Sequence, residues 1–286
     1  MDHYVLITDT GCDISPALLK QWDVSCIDLL FHLQGSQEVY VNTDMPSGEF
    51  YQKMREGSVF QTAAANMEDF FNAFTPFLEQ GLDILYLGFS SGLSNTVNAG
   101  QMAVQELLEK YPQRRITMID TLCASAGQGL MVYLAVQKKA QGASLEETAQ
   151  YVQETLPHLC HWFTVDDLVY LKRGGRVSAA TAFFGGVLNI KPVLHVDDEG
   201  HLINMLKARG RKQSIAALAQ KYQELAQPDS LYFISHGDCL EDAQALEALI
   251  ASKNGKKAQL ITDIGPVIGS HSGPGTLALF FLGQHR

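Results

Sequence analysis

Residues 84–100 read ILYLGFSSGLSNTVNAG, and the architecture follows from this stretch. The apolar run Ile84 to Leu87 has the make-up of a strand, the small and polar residues after it have turn chemistry, and a helical pattern begins beyond them. Strand–turn–helix is the repeating unit of an α/β protein, whose sheets bind ligands beyond the carboxyl ends of their strands. Ser90, Ser91, Ser94, Asn95 and Thr96 all fall at this junction. Their hydroxyls and amides, with the free N–H groups of a helix start, suit an anionic group. An ordinary helix cap draws on the same residue types, but five of them together point past a cap to a site.

Upstream, Tyr4 to Ile7 is a first strand that ends in the polar turn Thr8-Asp9-Thr10-Gly11-Cys12-Asp13, and Ser15-Pro16 opens a helix. Val24 to Phe31 is a second strand, and Glu38 to Val41 pairs with its extension. Ser47 begins a helix, and Thr62-Ala63-Ala64-Ala65-Asn66 is a small polar junction before the helix of Phe70, Phe71, Phe74 and Leu78. Downstream of the opening stretch come a helix over 98–110, a strand over 116–119 and a helix over 124–141. Strands alternating with helices predict parallel βαβ units. In such a sheet the turns at 8–13, 88–96 and 120–125 share one edge, so distant hydroxyls converge.

After a helix over 144–156, Pro157 marks a boundary, which divides the chain into 1–157 and 158–286. The first part is expected to be an α/β domain with a mainly parallel sheet flanked by helices, and the second an α/β domain with a mixed sheet and helices. In the second, Phe163 to Tyr170 leads to Leu171-Lys172-Arg173-Gly174-Gly175-Arg176 and an apolar helix over 179–188. Residues 191–196 and 201–207 form a hairpin around Asp197-Asp198-Glu199-Gly200. Helices over 213–226 and 240–252 and strands over 231–235, 260–264 and 277–282 complete it.

The chain has 286 residues, 46% hydrophobic and 18% charged, which describes a folded globular protein rather than a disordered one. A formal charge of −10 argues against nucleic-acid binding, which needs clustered Lys and Arg. Five cysteines without CxxC spacing support neither a disulfide framework nor a zinc site. Neither a signal peptide nor a membrane-length apolar run is evident, so the expected location is the cytoplasm. Nine scattered histidines give no metal-ligand spacing. The glycines at 127 and 129 lack the third glycine of a dinucleotide fingerprint, and there is no phosphate-binding loop. No cofactor is expected.

Gly88-Phe89-Ser90-Ser91-Gly92 matches the G-x-S-x-G elbow of serine hydrolases, with Asp263 and His271 following in order. The chain lacks the His-Gly type oxyanion segment upstream, and the further hydroxyls would be redundant for one nucleophile. The arginines of Arg173-Gly174-Gly175-Arg176 offer fork-shaped donors to a carboxylate or phosphate, in a turn that two glycines make tight; a charged surface turn is the alternative. Gly269-Ser270-His271-Ser272-Gly273-Pro274-Gly275 sets a histidine between glycines and hydroxyls, which suits a ligand. Phe183, Phe184, Val187 and Leu188, just after the arginines, are either ordinary core or the lining of an alkyl tunnel. Lys207, Arg209, Arg211 and Lys212 are the densest basic cluster, either a solvated hairpin end or a docking patch for an acidic partner.

Taken in order, TDTGCD at 8–13, SSGLSNT at 90–96, DTLCASAGQG at 120–129, LKRGGR at 171–176 and GSHSGPG at 269–275 resemble the DegV family, the fatty-acid-binding group that includes the carrier subunit of bacterial fatty acid kinase. The resemblance spans essentially the whole chain. It implies two α/β domains with a long-chain fatty acid buried between them, its carboxylate held by Thr62, Ser94, Arg173 and His271. Ser90, Ser91, Asn95, Gly174, Gly175, Arg176, Ser272 and Gly273 would form the supporting turns. It also implies a non-catalytic carrier, a kinase subunit as partner docking at the basic segment, and transient membrane contact for lipid exchange. Two departures bear on pocket shape: Ala63-Ala64-Ala65 replaces the family's Ser-x-Pro after Thr62, and Asn95 stands where Gly is usual.

Overall fold

The computed structural model describes residues 3–177 and 189–286. The first half runs β1 (Tyr4–Asp9), α1 (Pro16–Gln21), β2 (Val24–Ile27), β3 (Leu30–Leu33), β4 (Val39–Val41), α2 (Ser47–Arg55), β5 (Phe60–Ala63), α3 (Met67–Glu79), β6 (Asp83–Gly88), α4 (Thr96–Lys110), β7 (Ile116–Asp120), α5 (Ala126–Ala140) and α6 (Leu145–Thr155). The second runs β8 (Leu159–Thr164), α7 (Val169–Arg173), β9 (Ile190–Val196), β10 (Leu202–Arg209), α8 (Arg211–Leu225), β11 (Tyr232–His236), α9 (Leu240–Asn254), β12 (Leu260–Asp263), α10 (Pro266–Ser272) and β13 (Leu277–Leu282). The apolar helix expected over 179–188, with Phe183, Phe184, Val187 and Leu188, lies outside the described residues.

β2-β1-β6-β7 form a parallel sheet, and β10-β9-β8-β13-β11-β12 a mixed one in which only β11 and β12 run parallel. The fold is therefore α/β, with a parallel sheet flanked by helices and a mixed sheet with helices. A small antiparallel sheet, β4-β3-β5, stands beside them.

Three local readings change. The run Val24 to Phe31 is two strands, not one: the ladder to β1 ends at Ile27, and the Leu29 N–H turns away to the Thr10 hydroxyl at 2.8 Å. Residues around Thr62, expected as a bare junction, end strand β5, where Thr62 lies opposite Phe31. Asn66 then caps α3 by accepting from the Glu68 and Asp69 N–H groups. The glycine-rich segment at 269–275 is only partly a turn, because Pro266 opens a helix that carries through Ser272.

α5 is buried between the two large sheets, and packs on β6 as well as on β8, β11 and β13. Its first turns hold Ala126, Gly127 and Gly129, and two of these have no room for a side chain. A Cβ on Gly127 would stand 2.3 Å from His161 Nε2, and one on Gly129 2.9 Å from the Cys12 carbonyl. One continuous core therefore runs from Leu6, Leu85 and Ile119, through Leu130 and Val132, to Leu159, Phe163 and Phe280.

Polar bonds join the same elements. The Ser125 hydroxyl, just before α5, donates to Asp13 Oδ2 at 2.5 Å and meets the Ser235 hydroxyl at 2.9 Å. The Gly265 N–H donates to Asp13 Oδ1, and the Tyr51 hydroxyl to the Ile264 carbonyl. Burial pushes the Asp13 carboxyl up to about 8; the bonds from Ser125 and Gly265 oppose this, and Asp263 adds to it. An unfolded Asp titrates at about 3.9, so the folded state keeps a proton that the unfolded state gives up. That contribution is full below about pH 4 and is lost as the pH rises through about 8. Asp13→Asn keeps an acceptor for Gly265 and offers a donor towards Ser125. Its thermal midpoint is expected to gain a few degrees on the wild type between about pH 5 and about pH 9, measured by calorimetry; a constant difference would remove the titration from Asp13.

Candidate functional site

A cavity of about 250 Å³ opens where the turn after β6, the end of β5, the turn after α7 and helix α10 meet. Thr62, Ser94, Asn95, Arg176, His271 and Ser272 line its polar part. Leu29, Phe89, Phe163, Val196, Val267 and Phe280 are among its apolar lining. The first set comes from separate elements: Thr62 from β5, Arg176 from the turn after α7, His271 and Ser272 from α10, and Ser94 and Asn95 from the turn after β6, which ends at Gly88; there the chain from Ser90 to Ser94 coils tightly, with the Leu93 and Ser94 N–H groups both donating to the Ser90 carbonyl. Ser94 Oγ accepts from the Thr96 N–H at 3.3 Å and pairs with the Thr96 hydroxyl at 2.9 Å, so its position is fixed by the start of α4.

His271 sits in the last turn of α10, and its Nε2 forms a 2.7 Å hydrogen bond with the Thr62 hydroxyl. Gly174 packs against the other side of the ring, where a Cβ would stand only 2.2 Å from Nδ1. Burial, and then the Arg176 charge, pull the imidazole down to about 4, so it is neutral at physiological pH. Arg176 reaches over the turn after β6, and its Nε donates to the Leu93 carbonyl at 3.2 Å and its terminal nitrogen to the Gly174 carbonyl. His271 Nδ1 and the Ser272 hydroxyl are buried and have no hydrogen-bond partner among the described residues. An arginine, a neutral imidazole and free or shareable hydroxyls on one wall are the donors that an anionic oxygen takes.

The other sequence-derived candidates lie as follows. Arg173 is exposed and stacks over the Tyr170 ring at 5.7 Å, so of the two arginines it is Arg176 that reaches the cavity. The short helix α7 ends at Arg173, and the two glycines turn the chain back before Arg176. Gly175 takes φ 71° and faces open space, whereas Gly273, at φ 82°, lies against Tyr170. Ser91 is exposed, and its N–H donates to Asp120. Ser90 is fully buried and donates to the Gly200 carbonyl at 3.0 Å, tying down the 197–200 hairpin turn. Asp263 pairs with His236 at 3.5 Å. Ser90, His271 and Asp263 thus each have a partner outside the expected triad. Asn95 is exposed and bonds Asn98.

In the basic segment, Lys207, Arg209 and Lys212 are exposed, but Arg211 turns inward: its Nε meets Asp242 at 2.8 Å and a terminal nitrogen meets Asp166 at 3.7 Å. Arg211 is therefore no part of an exposed patch. Among the described residues no group of His, Cys, Asp and Glu could hold a metal ion, and no helix is long and apolar enough to cross a membrane. Several cavity residues escaped the sequence reading, among them Thr276 and, on β8, His161. The only signal for His161 is a lone histidine in the apolar strand LCHWFT.

Fold and cavity together define an α/β protein with an amphipathic, partly open cavity, largely apolar with a cluster of polar residues on one wall. A family model described as an uncharacterised protein of the DegV family matches residues 3–284, and the chain belongs to that family. A DegV domain-containing protein of Clostridium perfringens is 43% identical over 289 residues, which cover 100% of this chain and 99% of the relative. Among solved structures, a DegV family protein from Thermus thermophilus, described by its fatty acid binding, superposes with a TM-score of 0.87 at 29% identity, covering 98% of this chain and 99% of its own. A DegV lipid-binding protein from Thermotoga maritima gives a TM-score of 0.84 at 27% identity over 100% of both chains.

The geometry around His271 has a spectroscopic consequence. In a proton-detected titration its imidazole is expected to stay neutral down to about pH 4. Arg176→Gln removes the smaller cause and leaves burial, so the midpoint should rise yet stay below the ordinary histidine value of about 6.5. A midpoint at the ordinary value in the unaltered protein would mean that the ring is solvated.

Proposed function

We propose that this chain binds a long-chain fatty acid, with its carboxylate on the polar wall of the cavity and its alkyl chain against the apolar walls. The observation that carries the reading is the convergence of Arg176, Ser94, Ser272 and the Thr62–His271 pair on one largely apolar cavity. Arg176 supplies the charge and a fork of donors matched to a carboxylate, and Ser272 has a buried hydroxyl with no other partner among the described residues. Each methylene buried beyond that point contributes roughly 0.8 kcal/mol, so the chain dominates affinity and the polar wall sets orientation. The Thermus protein's fatty acid binding and the Thermotoga protein's lipid binding support the same choice. Arg176 takes the role first given to Arg173.

In this reading the protein is a non-catalytic carrier of the cytoplasm, with residues 1–157 and 158–286 as two domains around the ligand. It presents the carboxylate to a fatty acid kinase catalytic subunit, which phosphorylates it to an acyl phosphate; the exposed Lys207, Arg209 and Lys212 are the docking residues. What favours a carrier over a serine hydrolase is that Ser90 is committed to the Gly200 carbonyl and His271 to Thr62.

Protein purified from bacterial cells is expected to release a stoichiometric fatty acid on denaturing extraction, identified by mass spectrometry; finding none would remove the reading's main support. After delipidation, Arg176→Gln or Ser94→Ala should weaken fatty-acid binding about tenfold or more, the cost of a charge-assisted hydrogen bond, while Arg173→Gln stays within about twofold. Calorimetric titration of the three variants decides between the arginines.

A further inference from the structure

His271 and Ser272 both depend on α10, a helix of only 7 residues. Isolated helices shorter than about 12 residues are marginal in water, so α10 takes its orientation from whatever holds it. Its N-cap, Gly265, has no side chain to bond the first turn, and Pro266 brings no N–H. The next amide, that of Val267, donates to Asn42 Oδ1 at 3.2 Å. Asn42, directly after β4, thus does for α10 what an N-cap side chain does for its own helix, from 225 residues away along the chain.

The Asn42 amide is itself held in place. Its Nδ2 donates to the Thr10 carbonyl at 3.1 Å, and the Thr10 hydroxyl accepts from the Leu29 N–H. The fit is close, because a Cβ on Gly265 would stand 2.8 Å from Asn42 Nδ2. Asp13 and Tyr51 bond the same region at Gly265 and Ile264, before the helix; of these three side chains only Asn42 bonds a residue of α10. Asn42 is half-buried and borders a separate polar cleft, with Thr10, Asp13 and Thr262, rather than the ligand cavity. Yet Val267, Ile268, His271 and Ser272 all line that cavity. His271 lies about one turn beyond Val267 on the same face, so a tilt at the capped end is passed on to the ring and to its 2.7 Å bond with Thr62.

We propose that Asn42 is a positioning residue for the carboxylate: by capping α10 from β4 it sets the helix angle that brings His271 to Thr62 and the Ser272 hydroxyl to the cavity. Hydrogen bonds weaken steeply with misalignment, whereas the burial of an alkyl chain is non-directional. Loss of the cap therefore falls on the head group and spares the chain. The inference rests on the fatty-acid reading above and deepens it with a residue that does not touch the ligand.

The test titrates the delipidated full chain calorimetrically with stearic acid and with octadecanol, which keeps the alkyl chain and lacks the carboxylate. Asn42→Ala is expected to weaken stearate about fivefold, the scale of a lost helix cap, and octadecanol by less than about twofold. Asn42→Asp keeps an acceptor for the Val267 N–H and should recover most of the loss. A merely structural residue would lower both affinities together. If Asn42→Ala leaves stearate binding unchanged, or weakens the two ligands equally, the positioning role is wrong and the fatty-acid reading stands. If the unaltered protein binds no stearate, or binds octadecanol just as tightly, both fall. Asn42→Ser, too short to reach Val267 but able to bond water, is read in the same way if Asn42→Ala does not fold.

Discussion

How closely α5 approaches its neighbours governs the rest of the molecule. A helix with side chains is about 10–12 Å across, and one buried between two sheets must shed bulk on the faces it presents to them. Ala126, Gly127 and Gly129 do this at the end where the functional turns gather. Gly129 lets the first polar turn, with Ile14 and the Cys12 carbonyl, lie directly on the helix, and Gly127 does the same for the ring of His161. Ser125 then lies within reach of Asp13 on one side and Ser235 on the other. A larger residue at either glycine would force the two sheets apart at the place where the cavity needs walls from both.

Burial also sorts the charges in the cavity. His271 is held neutral and Arg176 is the cation, although burial disfavours its charge as well. A chain with a formal charge of −10 thereby turns Arg176 towards the cavity, beside Ser94 and His271. The exposed carboxylates lie in high dielectric, where charge acts weakly and is screened by salt, whereas the guanidinium acts at short range in a poorly solvated site. Retaining that cation requires partners, which the Leu93 and Gly174 carbonyls supply.

Much of this was legible in the sequence, for definite reasons. The strands of the parallel sheet carry apolar runs followed by polar turns, and the edge those turns share follows from the βαβ rule alone. Thr62, Ser94 and His271, which do line the cavity, could be singled out because motifs carry them. The division of Val24 to Phe31 was hidden because an apolar run is blind to a single N–H, at Leu29, that leaves its ladder for a side chain. The choice between Arg173 and Arg176 depends on which side of a five-residue helix each residue emerges, a phase that two glycines erase. Arg211 looked like surface because composition cannot see that Asp242 and Asp166 wait behind it. His161 was passed over because a lone histidine in an apolar strand usually belongs to the core, and here it is buried as well as bordering the cavity.

The order of the mixed sheet bears on how the chain is made. β13, built from residues 277–282, lies between β8 and β11 rather than at an edge. While the ribosome is still extending the chain, those two strands face an empty slot with their ladder groups unpaired. Such edges invite pairing with other chains. The slot closes only when Leu277 to Leu282 emerge and insert antiparallel to both neighbours. The cavity wall that holds Ala278 and Phe280 therefore forms only when this one strand has paired with both β8 and β11.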